Sequence, residues 1–316
     1  VSIVKLLHFT DVHYSQTAPE SRAEEYKEDI KAKMLEILAI ETKLQPAAVL
    51  FGGDLYHRKQ NVTHLEVGIM INIFKEFSAP IYGIVGSHDV TGHQVLTIDH
   101  KPAGVLEAAG VIEWISPNVK ISPVKGVSIG GAPCHAGYEE DPKSYGVGVE
   151  CAKKDVLVWL SHGVLVRGGK KLIYDHTDIS ALEQTRADIL INGHYHSETW
   201  VQTAVDGRLF LNPGSVGRTD IQDMHEPCVT ILAIDTEART WKHKFVKLKS
   251  ARPYSDVFEA KAAPAKKSDA EITEFVEALE KESGDVRTED LQEAIGVGCK
   301  GKPKNVKPAI SARLGV

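Results

Sequence analysis

The stretch Val49-Leu50-Phe51-Gly52-Gly53-Asp54-Leu55-Tyr56-His57 is an apolar run that stops at two glycines and delivers a carboxylate, Asp54. A buried strand ending this way places one acid at the carboxyl edge of a sheet, where open α/β folds put their ligands. The glycines allow a sharp turn and leave room beside the acid for something large, such as metal ions. Alone, Gly-Gly-Asp after a strand is an ordinary turn. It gains meaning because four other strands end in the same manner, each with Asp or His.

Working outward, the strand Lys5 to Phe9 delivers Thr10-Asp11-Val12-His13, and strand alternation puts Asp11 and His13 on one face. The strand Ile81 to Val85 ends in Gly86-Ser87-His88-Asp89. Val156 to Leu160 ends in Ser161-His162-Gly163, and Ile189 to Ile191 leads into Asn192-Gly193-His194-Tyr195-His196. Between them, Tyr26, Ile30, Met34, Ile37 and Leu38 form a helical stripe within Glu24 to Lys43. Thr63 and Glu66 make a capping box for a helix carrying Leu65, Ile69, Ile73 and Phe77. Arg208 to Leu211, Cys228 to Ile234 and Thr240 to Leu248 read as antiparallel strands. Asn212-Pro213-Gly214-Ser215 reads as a tight connection between the first two.

This order, βα units and then a strand-rich half, predicts an α/β fold: a two-sheet β sandwich flanked by helices, in four αββα layers. Residues 1–250 form the catalytic domain on this reading, and 251–267 a linker whose Ala260 to Lys267 is rich in Ala, Lys and Pro. Residues 268–316 form a helical and basic tail that serves docking, capping or oligomerisation. Its Ser268 and Glu271 cap a helix, a second short helix spans Leu291 to Ile295, and five Lys and Arg residues follow.

Bulk composition narrows the class. With 42% hydrophobic and 25% charged residues among 316, the chain is that of a soluble globular protein. No apolar run approaches the roughly 18 residues that span a bilayer. The N-terminal stretch reads as a strand, not a signal peptide. Cys134, Cys151, Cys228 and Cys299 lack any C-x-x-C spacing and read as free thiols in a reducing, cytoplasmic setting. Net charge is −6; five Lys and Arg and no acid in the last 21 residues leave about −11 on residues 1–295. So acidic a body is a poor electrostatic trap for nucleic acid. Fourteen histidines are a first chemical hint.

Imidazole and carboxylate donors together suit Mn, Fe or Zn, and a carboxylate can bridge two ions. Two metals about 3.5–4 Å apart clamp the attacking and leaving oxygens of an in-line displacement at phosphorus, and bring the pKa of a shared water toward ~7. The ordered series D-x-H, G-D, G-x-H-D, H, G-H-x-H over residues 8 to 196 resembles the calcineurin-like metallophosphoesterase family. The resemblance implies that Asp11, His13 and His196 hold one metal and His162 and His194 the other, with Asp54 bridging. Mn is the expected ion, with Fe, Zn or Mg as alternatives. By the same resemblance, His88 orients the substrate and protonates or stabilises the leaving oxygen. The family usually has Asn where this chain has Ser87. A hydroxyl is a poorer ligand than an amide carbonyl, so a weaker second site is expected.

Asp54-Leu55-Tyr56-His57 is similar to the SbcD-type nucleases of double-strand-break repair and their phage and prophage relatives. In those enzymes a His three residues after the bridging Asp lines the nuclease site; a surface-loop histidine is the alternative for His57. The resemblance implies DNA as substrate and an SMC-like ATPase partner docked on the C-terminal helices, with self-association as the competing role for that segment. A small-substrate phosphodiesterase or phosphatase, acting on cyclic nucleotides for example, suits the acidic body better. A non-catalytic binding scaffold on the same fold is a third reading. Tyr14, Tyr195 and His135 are further candidates for substrate contacts.

Overall fold

Alternation along β1 (Ile3–Phe9) and β2 (Ala48–Phe51) sorts their side chains into two layers. Leu7, Phe9, Val49 and Phe51 point toward helices, while Val4, Leu6, Ala48 and Leu50 point toward a second sheet. The computed structural model describes residues 3–22, 25–116, 120–152, 154–196 and 198–258. The expected linker beyond 258, the 268–295 helices and the basic end lie outside them, as does Cys299.

After β1 come α1 (Tyr26–Leu44), β2, α2 (His64–Lys75), β3 (Ile81–Gly83), α3 (Pro102–Ala108) and β4 (Glu113–Trp114). There follow β5 (Ile121–Val124), β6 (Val127–Gly131), β7 (Val156–Gly163), β8 (Leu165–Val166), β9 (Thr177–Asp178), β10 (Ile189–His194), β11 (Trp200–Thr203) and β12 (Leu209–Asn212). The described chain closes with β13 (Cys228–Asp235), β14 (Thr240–Lys247) and α4 (Tyr254–Val257). One sheet has the order β14-β13-β1-β2-β3-β4 and the other β11-β12-β10-β7-β6-β5; β8 and β9 pair separately. β1 to β4 run parallel, as do β6, β7, β10 and β12, so the site-bearing strands of each sheet share a carboxyl edge.

Val127, Ile129, Val156, Val158, Leu160, Ile189 and Ile191 fill the layer between the sheets. Each such side chain contributes about 1.5–3 kcal/mol on burial, which makes the strands a rigid base for their terminal loops. On the helical side, α1 buries Tyr26, Ile30, Met34 and Ile37, as its periodicity predicts. The capping box starts α2 as expected: Glu66 N donates to Thr63 Oγ1 (3.2 Å) and Thr63 N to Glu66 Oε2 (2.6 Å). The buried stripe of α2 differs from the expected one. Ile73 is buried as expected, but Leu65 is 63% exposed, and Met70 and Phe74 are buried beside Ile73. From Val67 to Phe74 this helix is apolar at every position but Gly68 and Asn72, so periodicity does not single out a face; Phe74, edge-on to both Phe9 and Phe51, sets it.

The α-helices lie on the first sheet. Tyr138, Tyr145, Trp159, Trp200 and Phe210 form the cluster on the second sheet's outer side, together with the short 3-10 turns Tyr138–Glu140, Pro142–Tyr145 and Ile179–Leu182. The expected tight connection at Asn212–Ser215 is not a hairpin. β12 runs parallel to β10 in the second sheet and β13 antiparallel to β1 in the first, so residues 213–227 cross between sheets. β11, antiparallel to β12, has no counterpart in the sequence reading. Beyond β14, Val257 and Phe258 are buried, with Arg22 lying over the Phe258 ring. Cys134, Cys151 and Cys228 are free thiols. Among the described residues, no helix is long and apolar enough to cross a membrane.

Candidate metal centre

The loops that leave β1 and β2 run side by side. Asp11 N donates to Gly53 O (2.9 Å), His13 N to Asp54 O (3.0 Å) and Tyr14 N to Leu55 O (2.7 Å). Asp11, His13 and Asp54 have φ of 53°, 49° and 54°, and His194 has 72°. The left-handed region costs an L-residue roughly 1–2 kcal/mol, and such strain clusters at functional sites. Asp11 and His13 therefore converge through two left-handed turns, not through the strand alternation expected. Gly53 has φ +102° and passes so close to its neighbours that a Cβ would lie 2.7 Å from Gly86 N and 2.9 Å from His162 Nδ1. Glycine here lets three strand ends meet.

Seven of the strand-end residues, Asp11, His13, Asp54, His88, His162, His194 and His196, come together. Asp11, His13 and His196 offer ligand atoms within 4.8 Å of one another, as do Asp54, His162 and His194, and His13, Asp54 and His88. His196 Nε2 lies 3.2 Å from both Asp11 Oδ1 and His13 Nε2. Across the sheets, His162 Nε2 lies 3.2 Å from Asp54 Oδ2 and 3.9 Å from Asp11 Oδ1. His13 Nε2 is 3.9 Å from Asp54 Oδ2. Asp54 shares a group with His162 and His194 and another with His13, which itself belongs to the Asp11–His196 group, so the carboxylate lies between the two sets of donors.

Two nitrogens are left over in a way that fits a cation. His162 Nε2 and His194 Nδ1 are buried without a hydrogen-bond partner, His162 Nε2 despite its closeness to Asp54. Buried polar atoms are normally paired; a divalent ion would satisfy such lone pairs. Burial alone would raise the pKa of Asp11, yet His162 and His196 outweigh it and hold the carboxylate well below its usual range. The same holds for Asp54, through His162 and His88. Burial pushes His13 down to about 4 and His194 to about 3, which keeps both imidazoles neutral, the form that ligates. Burial would lower His162 and His196 too, but Asp54 and Asp11 outweigh it at His162 (about 9) and Asp11 and Asp223 at His196 (about 10), negative charge that a divalent cation would meet in place of those protons. The donor set fits a pair of divalent metals.

Around this core, Ser87 Oγ donates to Asp54 Oδ2 (3.3 Å) and His88 N to Asp54 Oδ1 (2.7 Å). His88 Nδ1 lies 2.5 Å from His57 O; a carbonyl only accepts, so Nδ1 carries the proton. The His57 ring stands 5.9 Å from that of His13 and 6.1 Å from that of His88, so it lines the site. His162 Nδ1 is oriented in the same way by Gly52 O (2.7 Å). His135 is half-buried against Tyr138, whose hydroxyl accepts from His162 N (2.8 Å).

The two tyrosines correct the sequence expectation. Tyr14 is 2% exposed in the helix-side core, and its hydroxyl accepts from Gln16 Nε2 (2.7 Å). Tyr195 is 6% exposed among Val164, Val166 and Leu172, with Lys170 Nζ donating to its hydroxyl (2.8 Å). Neither offers a face to a base. Sequence reasoning missed two acids. Asp89 accepts from the amides of Asp54 (2.8 Å), Leu55 (3.1 Å) and Gly86 (2.8 Å), and so fixes the turn that aims Asp54. Its place in Gly-Ser-His-Asp was the available signal. Asp223 lies 3.5 Å from His196 and has no motif around it.

A two-sheet α/β sandwich that converges Asp and His donors at one carboxyl edge defines a metal-dependent phosphoesterase. The chain belongs to the calcineurin-like phosphoesterase family, whose model matches residues 4–198. Among solved structures it is similar to TT1561 of Thermus thermophilus (11% identity, 78% of this chain and 100% of that one, TM-score 0.45). It is also similar to a dimetal phosphatase from Danio rerio (10%, 78% and 99%, TM-score 0.47) and to Yfce, a phosphoesterase from E. coli (13%, 78% and 100%, TM-score 0.39). No curated protein matches the chain.

Proposed function

We propose that this phosphoesterase is a Mn-dependent phosphodiesterase acting on DNA, an exo- or endonuclease of the SbcD type. The observation that carries the reading is His57, three residues after Asp54, whose ring faces both His13 and His88 at the metal centre. Asp11, His13 and His196 would hold one ion, His162 and His194 the other, with Asp54 shared and Ser87 beside it. When bound, the two ions supply Lewis acidity and an activated water for in-line attack at phosphorus. His88 supplies the proton. With Nδ1–H committed to the His57 carbonyl, it is the doubly protonated ring that carries a proton on Nε2, the nitrogen free to give it to the departing oxygen and left as the Nδ1–H tautomer afterwards.

The acidic body, about −11 over residues 1–295, favours a second reading: a small phosphodiester such as a cyclic nucleotide. On the nuclease reading, residues 268–316 dock an SMC-like ATPase or a second copy of the chain. The test supplies Mn and compares a labelled linear duplex, a single strand and 2′,3′-cyclic AMP, with His88→Ala as control. The nuclease reading expects cleavage of duplex or single strand, lowered about 10²–10⁴-fold in His88→Ala. Turnover confined to the cyclic nucleotide refutes it in favour of the second reading.

A further inference from the structure

We propose that Asp223 is the positioning residue of the first metal site, holding the His196 ring so that Nε2 faces the ion; the inference rests on the dinuclear-metal reading. Asp223 lies beyond residues 4–198, the part that matches the family. It belongs to the segment that crosses between the sheets, and it is 3% exposed. Its Oδ2 accepts from the amides of Thr219 (2.7 Å) and Asp220 (3.0 Å), so the loop itself aims the carboxylate. That same oxygen lies 3.5 Å from His196 Nδ1. On the far side of the ring, Nε2 is 3.2 Å from Asp11 Oδ1 and 3.2 Å from His13 Nε2.

A histidine ring can turn about χ2 and present either nitrogen. A carboxylate at Nδ1 selects the tautomer with the proton on that atom and leaves the Nε2 lone pair for a cation. His162 is oriented by a main-chain carbonyl, Gly52 O, whereas His196 has a charged acceptor. The segment is fastened at several points. Val216 N donates to Thr10 O (3.1 Å), Gly217 N to Asp11 O (2.9 Å), and the buried Lys33 Nζ to Val216 O (2.6 Å). Tyr254 at the start of α4 donates to Ile221 O. The crossing segment therefore holds Asp11 through its backbone and His196 through Asp223, two of the three ligands of one ion.

The test is Mn binding by titration calorimetry on the full chain: wild type, Asp223→Ala, His196→Ala and the double variant. Asp223→Ala should weaken one of the two Mn sites by about 10–100-fold, and adding it to His196→Ala should cause no further loss. If Asp223→Ala fails to fold, judged by the metal-free thermal midpoint, Asp223→Asn takes its place in the cycle. Wild-type affinity in the variant, or an equal loss in the His196→Ala background, overturns the proposal while leaving the metal reading intact. A wild-type chain that binds no Mn overturns both.

Discussion

Replacing Gly53 by alanine perturbs the junction where three strand ends meet at the metal centre. Gly53 has φ +102°, outside the left-handed well near +57° that L-residues tolerate, and the added methyl would sit 2.7 Å from Gly86 N and 2.9 Å from His162 Nδ1. The backbone contributes about 1–2 kcal/mol and the overpacking about 1–3 kcal/mol. The sum, roughly 2–5 kcal/mol, corresponds to a fall in Tm of at least about 4 °C at ~2 °C per kcal/mol for a domain of this size. The strain does not fall at random. Relief requires moving either the turn that carries Ser87 and His88 or the His162 ring, both on the side of the second ion. Metal-free thermal melts and Mn titrations of Gly53→Ala should show the lower midpoint together with loss of the weaker Mn site. A variant that melts within about 1 °C of wild type and binds both ions unchanged would refute the idea that glycine is required for the three strand ends to meet.

Ser87→Asn should strengthen the second Mn site by about tenfold, or ~1.4 kcal/mol, because an amide carbonyl reaches further than the hydroxyl now 3.3 Å from Asp54; calorimetry reads this directly, and an unchanged affinity removes Ser87 from the ligand set. Glu66 supplies a pH test remote from the metals. Burial would raise its pKa, but the amides of Gln16 and Thr63 outweigh burial and hold it below its ordinary value. The stability it contributes is therefore full above the unfolded pKa of ~4.3 and lost as pH falls through the lower folded value. Thermal midpoints of metal-free protein taken across that window should drop more steeply in wild type than in Glu66→Gln, and parallel curves would deny the carboxylate this role.

The candidate metal ligands were legible because each sits at a strand end or within four residues of one, and strand ends announce themselves through apolar runs that stop at Gly, Asp or His. The route by which Asp11 and His13 converge was not legible, since left-handed backbone at both residues is set by hydrogen bonds to Gly53 and Asp54, far along the chain. The same turns explain why Tyr14, adjacent to a ligand, points into the core. The two-sheet architecture followed from the order of elements, but the partners of β12 and β13 did not. An Asn-Pro-Gly-Ser connection looks alike whether a chain turns back on one sheet or leaves for another. Asp223 reaches His196 only because of that crossing, and the residues between the two carry no pattern that marks it.

The most direct test is a crystal grown at saturating Mn, with diffraction recorded at an energy where Mn scatters anomalously. The account predicts two anomalous peaks about 3.5–4 Å apart, both against Asp54, one beside Asp11, His13 and His196 and the other beside His162 and His194. A single peak, or a pair that leaves Asp54 unligated, would contradict it.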